Sequence, residues 1–152
     1  MRGLEHLHPQ TRKKAERLLS LCREAGLPVA ITETLRTAAE QDNLYAQGRT
    51  KPGKVVTHAK GHDFQSGHQW GVAFDFCRNV RGAEWDESDG FFRRVGELGK
   101  SVGLRWGGDF RDFKDPSHFE DIDFMKTPST KALKERYGTP EAFREGWETQ
   151  CL

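Results

Sequence analysis

One acid in an apolar strand constrains this chain more than any other feature. The run Gly71-Val-Ala-Phe-Asp-Phe-Cys77 alternates as a half-buried β-strand does, with Val72, Phe74 and Phe76 on one face and Ala73 and Asp75 on the other. A free carboxylate buried among such neighbours is costly. A cation beside it removes the objection. His68 lies upstream of Asp75, and His118 lies downstream in Asp115-Pro-Ser-His118-Phe-Glu120. Two histidines and one carboxylate are the ligand set of a catalytic zinc, with the fourth tetrahedral position left for water. Zinc lowers the pKa of that water to about 7 and polarises a carbonyl oxygen. Asp115 is placed where a carboxylate reaches the water without being a ligand, the position of a general base; the bland reading is that it initiates the Asp115-Pro116 turn. His58 and His62 are left out of the ligand set, because a fourth protein ligand would fill the water's position. Cys22, Cys77 and Cys151 are odd in number and lack CxxC spacing, so they read as free thiols, the first two in the core.

The rest of the chain bounds the possibilities. A length of 152 residues predicts a single domain over 1–152. Lys and Arg number 24 against 23 Asp and Glu, a net charge of +1, so there is no electrostatic footprint for nucleic acid. No apolar run approaches the roughly 20 residues of a membrane span. The N-terminus, MRGLEHLHPQ, lacks the apolar stretch of a signal peptide. The expectation is a protein made in the cytoplasm without a signal peptide, with no nucleic-acid or membrane partner.

Periodicity predicts a helix over Pro9–Ala25, with Ala15, Leu18, Leu19, Cys22 and Ala25 as its apolar stripe, and a β-prone run over Pro28–Thr32. Thr37 and Glu40 form a capping box for a helix to about Gln47. Residues 49–67 are rich in Gly, Lys and His without periodicity, and an ordered loop that long usually walls a site. Asp89 can cap a helix over Gly90–Val102, then Leu104–Trp106 and His118–Glu120 read as strands, with helices over Ser129–Tyr137 and Pro140–Trp147. Trp70, Trp85 and Trp106 read as core or cleft wall, and Gly107-Gly108 as a turn.

The flanks of the ligand set carry a resemblance. Ser66-x-His68-x-x-Gly71-x-Ala73-x-Asp75-Phe76, followed by Trp106-Gly-Gly-x-Phe110 and Asp115-x-x-His118-Phe-Glu120, resembles the VanY-type D-alanyl-D-alanine carboxypeptidase and L-alanyl-D-glutamate endopeptidase family, whose fold is shared with the hedgehog domain. The likeness extends through Leu7-His8-Pro9, Ile31 to Thr37, Gln41, Leu44-Tyr45, Gly48-Arg49-Thr50 and Pro52-Gly53, covering about residues 4–125. It implies an α+β fold: a small antiparallel sheet carrying the metal ligands, with flanking helices. It places one zinc on His68, Asp75 and His118, and the catalytic base on Asp115, where many relatives have Glu. Arg36 matches the arginine that holds the substrate carbonyl or carboxylate; read from the residues alone, it is a surface arginine pairing with Glu33 or Glu40. Gln41 and Ser66 match positions lining the substrate cleft. The implied activity is hydrolysis of a peptidoglycan stem-peptide bond by a monomer, foremost as an L-alanyl-D-glutamate endopeptidase of the endolysin or autolysin kind that meets the cell wall after holin-type release. A D-alanyl-D-alanine carboxypeptidase and a non-catalytic zinc-containing wall-binding module are the alternatives.

Overall fold

The architecture grows from one sheet with two unlike faces. A computed structural model describes residues 1–148. Strands β1 (Val29–Glu33), β2 (Ala73–Arg78), β3 (Leu104–Trp106) and β4 (His118–Asp121) form an antiparallel sheet in the order β1-β2-β4-β3. Helices α1 (Pro9–Glu24), α2 (Ala38–Ala46), α3 (Phe91–Ser101), α4 (Lys131–Tyr137) and α5 (Pro140–Glu148) surround it. This is the expected α+β arrangement.

Register decides which residues share a face. Phe74 pairs with Phe119 and Trp106 pairs with Phe119 from the other side, so these rings rise together. They bury with Phe76, Leu104, Ala15, Leu18 and Cys22 of α1, and Phe91, Phe92 and Val95 of α3. The Phe76 and Phe119 rings stack at 5.1 Å. Two glycines of α3 let the helix sit this close: a Cβ on Gly96 would run into Trp106, and one on Gly99 into Phe119. The opposite face carries Asp75, paired with His118, and Glu120, paired with Ala73 and Arg105. A second apolar cluster (Trp70, Val72, Met125, Leu133, Phe143 and Trp147) fastens α4 and α5 beside this polar face.

Several expectations shift. Val72 precedes the strand and belongs to the second cluster, apart from Phe74 and Phe76. On α1, Ala25 is exposed at the C-cap and Leu19 is half-buried, while Thr11 is buried because its hydroxyl donates to Asp121 at 2.8 Å. The carboxylate of Asp89 accepts from the Phe91 amide at 3.1 Å, and α3 starts there after Gly90. Helix α4 begins at Lys131. Trp70 and Trp106 are buried as expected, but Trp85 is 63% exposed and stacks flat on Phe92, outside core and cleft alike. Cys22 and Cys77 are buried free thiols, and Cys151 lies outside the described residues. Among the described residues no helix is long and apolar enough to cross a membrane.

The loop before β2 is ordered by polar ties instead of a core. The Asp42 carboxylate accepts from the Gly61 and His62 amides at 2.7 and 3.0 Å, and the Gln69 amide donates to the Gly61 carbonyl at 2.8 Å. Phe64 holds a φ of 53°, a left-handed conformation that is unfavourable for a bulky residue. Its carbonyl accepts from both Thr130 Oγ1 at 2.7 Å and Trp70 Nε1 at 3.0 Å, so neighbouring structure enforces the strained turn.

Candidate metal centre and cleft

His68 reaches the site on a short 3-10 turn, Gly67–Trp70, inserted between the loop and β2. Ser66 caps that turn: its hydroxyl accepts from the His68 amide at 3.3 Å while the Gln69 side chain accepts from the Ser66 amide. Gly71, at a φ of 69°, ends the turn and releases the chain into the strand. On the far side β1 contains a bulge between Ile31 and Glu33. Bulges re-aim a strand, and just past this one the Thr34 carbonyl meets His68 Nδ1 at 2.7 Å. A carbonyl only accepts, so Nδ1 carries the proton and the lone pair of Nε2 is left for another partner.

That partner region is shared. His68 Nε2 lies 3.2 Å from Asp75 Oδ1, and His118 Nδ1 lies 2.9 Å from the same oxygen. The three donor atoms fall within 4.8 Å of one another. Tetrahedral ligands at the usual zinc distances stand about 3.3 Å apart. The two histidines and the carboxylate therefore fit a zinc ion in spacing and donor type, and the Thr34 contact is the kind of outer support that fixes a ligating imidazole. Without a metal, burial works against the charge on Asp75, yet the flanking imidazoles of His68 and His118 hold its carboxyl far below the usual range. Burial likewise opposes a proton on His118, but the hydrogen bond and charge of Asp75 prevail and push it up to about 9.

The donors sit on the floor of an open cleft of about 1090 Å³. Arg36, Ser66 and Asp115 line it as expected. Arg36 does pair with Glu33, at 3.6 Å, but it is no surface residue: its guanidinium also stands 3.7 Å from Asp75 Oδ2 and donates to Gln41 Oε1 at 2.7 Å. Gln41 departs from its expected place on the cleft wall. It is 0% exposed, held between Arg36 and the Ala59 carbonyl at 2.9 Å, so it stands behind the arginine. Asp115 forms the expected turn, its carbonyl receiving the His118 amide at 3.1 Å, and the residue also lines the cleft. Its carboxylate accepts from Ser117 Oγ at 3.1 Å. His58 lies on the cleft rim against Phe113, and His62 is exposed on Asp42; neither joins the three donors.

Sequence reasoning passed over Arg105, Glu120 and Pro128 to Thr130, all of which line the cleft. Burial pushes the Glu120 carboxyl up, against the pull of His118, Arg105 and His68. The signals available were the motif ending in His118-Phe-Glu120 and alternation, since Glu120 follows His118 by two on a strand and so shares its face.

Comparison with known proteins agrees with this geometry. Residues 59–121 match a family model described as D-alanyl-D-alanine carboxypeptidase. The peptidoglycan L-alanyl-D-glutamate endopeptidase CwlK of Bacillus subtilis (strain 168) is 41% identical over 125 residues, covering 76% of this chain and 74% of that protein. The chain belongs to the M15 peptidase family. The fold of this M15 peptidase is similar to that of the Serratia marcescens L-Ala D-Glu endopeptidase ChiX, with a TM-score of 0.62 and 21% identity over 83% of this chain and 87% of that one. It is also similar to the vancomycin-resistance D,D-pentapeptidase VanY from a VanB-type cassette, solved as an E175A mutant with Zn(II), at a TM-score of 0.54 and 17% identity over 90% and 83% of the two chains.

Proposed function

We propose that this M15 peptidase is a zinc-dependent L-alanyl-D-glutamate endopeptidase that cuts the stem peptide of peptidoglycan. The observation that carries the metal reading is the convergence of His68 Nε2, Asp75 Oδ1 and His118 Nδ1 on one point, with His68 locked by Thr34 in the tautomer a metal needs. The endopeptidase assignment is supported by the 41% identity with CwlK. All three donors come from one chain, which supports one ion per monomer.

When bound, zinc supplies Lewis acidity and makes water a competent nucleophile near neutral pH. The protein's own groups do the rest. Asp115 takes a proton from the attacking water and returns it to the leaving amine, as general base and then general acid. Arg36, held by Gln41 and Glu33, keeps a permanent positive charge beside Asp75, where it stabilises the oxyanion of the tetrahedral intermediate. Ser66 shapes the wall next to His68.

Digestion of purified muropeptides followed by mass spectrometry tests the assignment. Cleavage between L-alanine and D-glutamate, abolished by chelation and restored by zinc, is expected. Release of terminal D-alanine alone would make the enzyme a carboxypeptidase instead, and zinc-loaded protein without hydrolysis would make it a binding module.

A further inference from the structure

The cleft floor holds an ionisable group for which the proposed chemistry has no use. Glu120 lies two residues beyond His118 on β4, between Ala73 and Arg105 on the neighbouring strands, so its side chain rises on the face of the metal donors about 7 Å further along. It lines the cleft and is only 2% exposed. Among the described residues its carboxylate makes no hydrogen bond and no ion pair. Arg105, the cation on the same face, gives its Nη donors to the Met125 carbonyl at 2.6 Å and the Lys126 carbonyl at 2.8 Å and acts on Glu120 through charge alone.

Withdrawing a carboxylate from water without a partner is destabilising, and a leucine in that place would not carry the penalty. The fold bears the cost at a point that opens onto the cleft. An ionised carboxylate only accepts hydrogen bonds, so the group that satisfies it must bring an N–H or O–H, and a second carboxylate is repelled. Arg36 meets the donors from the β1 side, whereas Glu120 lies beyond His118 along β4 with Arg105 beside it on β3.

We propose that Glu120 is a substrate-binding residue that accepts a hydrogen bond from a nitrogen donor of the stem peptide, either a backbone amide or the side-chain amine of its diamino acid. The inference rests on the peptidoglycan reading above.

Steady-state kinetics of zinc-loaded Glu120→Leu and Glu120→Gln on a disaccharide tripeptide, with its side-chain amine free or acetylated, decide the matter. Glu120→Leu is expected to raise KM by about tenfold or more with kcat within about threefold of wild type, and Glu120→Gln to recover part of the loss because it keeps one acceptor oxygen. On the same preparations zinc content stays at the wild-type value, and the melting temperature of Glu120→Leu lies at or above that of wild type. If the amine is the donor, acetylation weakens wild type and leaves Glu120→Leu unaffected; if the backbone amide is the donor, acetylation acts equally on both. An unchanged KM in both variants overturns the proposal. So does a loss of zinc that tracks the loss of activity, because Glu120 would then act through His118. Wild-type enzyme that hydrolyses neither substrate removes the peptidoglycan reading and this inference with it, whereas active wild type with indifferent variants removes the inference alone.

Discussion

His118 shows how one residue can make metal uptake depend on pH. In the metal-free protein Asp75 holds its imidazole protonated up to about 9, and that proton occupies a position a metal ligand must vacate. Protons and zinc therefore compete below this value. Apparent zinc affinity should fall about tenfold for each pH unit from 9 down toward 7, and a competitive chelator titration across that range measures it; a flat profile would mean that His118 is not a ligand. Asp115 makes a separate prediction. Asp115→Asn keeps the size and the turn but loses the proton acceptor, so kcat should drop by about 10² to 10⁴ with zinc content unchanged. The carboxylate in an apolar strand, together with the motif flanking His68, Asp75 and His118, made the ligand set legible. Gln41 reads as cleft wall from the sequence because one contact is invisible there: its amide is engaged by Arg36 and the Ala59 carbonyl only once the loop has folded over α2.

Elements place these residues within tight steric limits. Helix α3 can lie on the sheet only because Gly96 and Gly99 present bare backbone to Trp106 and Phe119. Gly99→Ala should improve helix propensity yet destabilise the protein by about 1–3 kcal/mol through overpacking, read as a lower urea midpoint with an unchanged m-value. A stabilised variant would show that the sheet and helix can separate at no cost. The 3-10 turn that carries His68 is a second case. Ser66 and Gln69 cap it, Gly71 ends it, and Phe64 is kept in its strained turn by Thr130 and Trp70. Strand alternation and the Thr37 to Glu40 capping box were visible in sequence because they are local patterns. The strained turn was not, since its cause lies in the segment leading into α4, far along the chain. The same holds for the position of Val72, which sits at the edge of the strand and is drawn into the second cluster by α5.

At the scale of the molecule, the sheet separates stability from chemistry. The larger apolar cluster lies under one face and the metal donors lie on the other. Chelation should abolish activity while leaving the far-UV circular dichroism and a cooperative unfolding transition intact. The melting temperature should fall, because free zinc at a thousand times its Kd contributes about 4 kcal/mol of stability. Loss of the cooperative transition on chelation would show that the metal holds the fold together. With 24 basic and 23 acidic residues, long-range charge gives this domain little grip on a polymer. Hydrophobic period and capping residues, written locally, were enough for the helices and strands, and the donor residues with their flanking motif were enough for the ligand types and the family resemblance. Folding was needed to show that Thr34 fixes the His68 tautomer, that Gln41 supports Arg36 from behind, and that Glu120 faces the cleft without a hydrogen-bond partner among the described residues. Each of these depends on backbone groups or strand register brought together from distant parts of the chain.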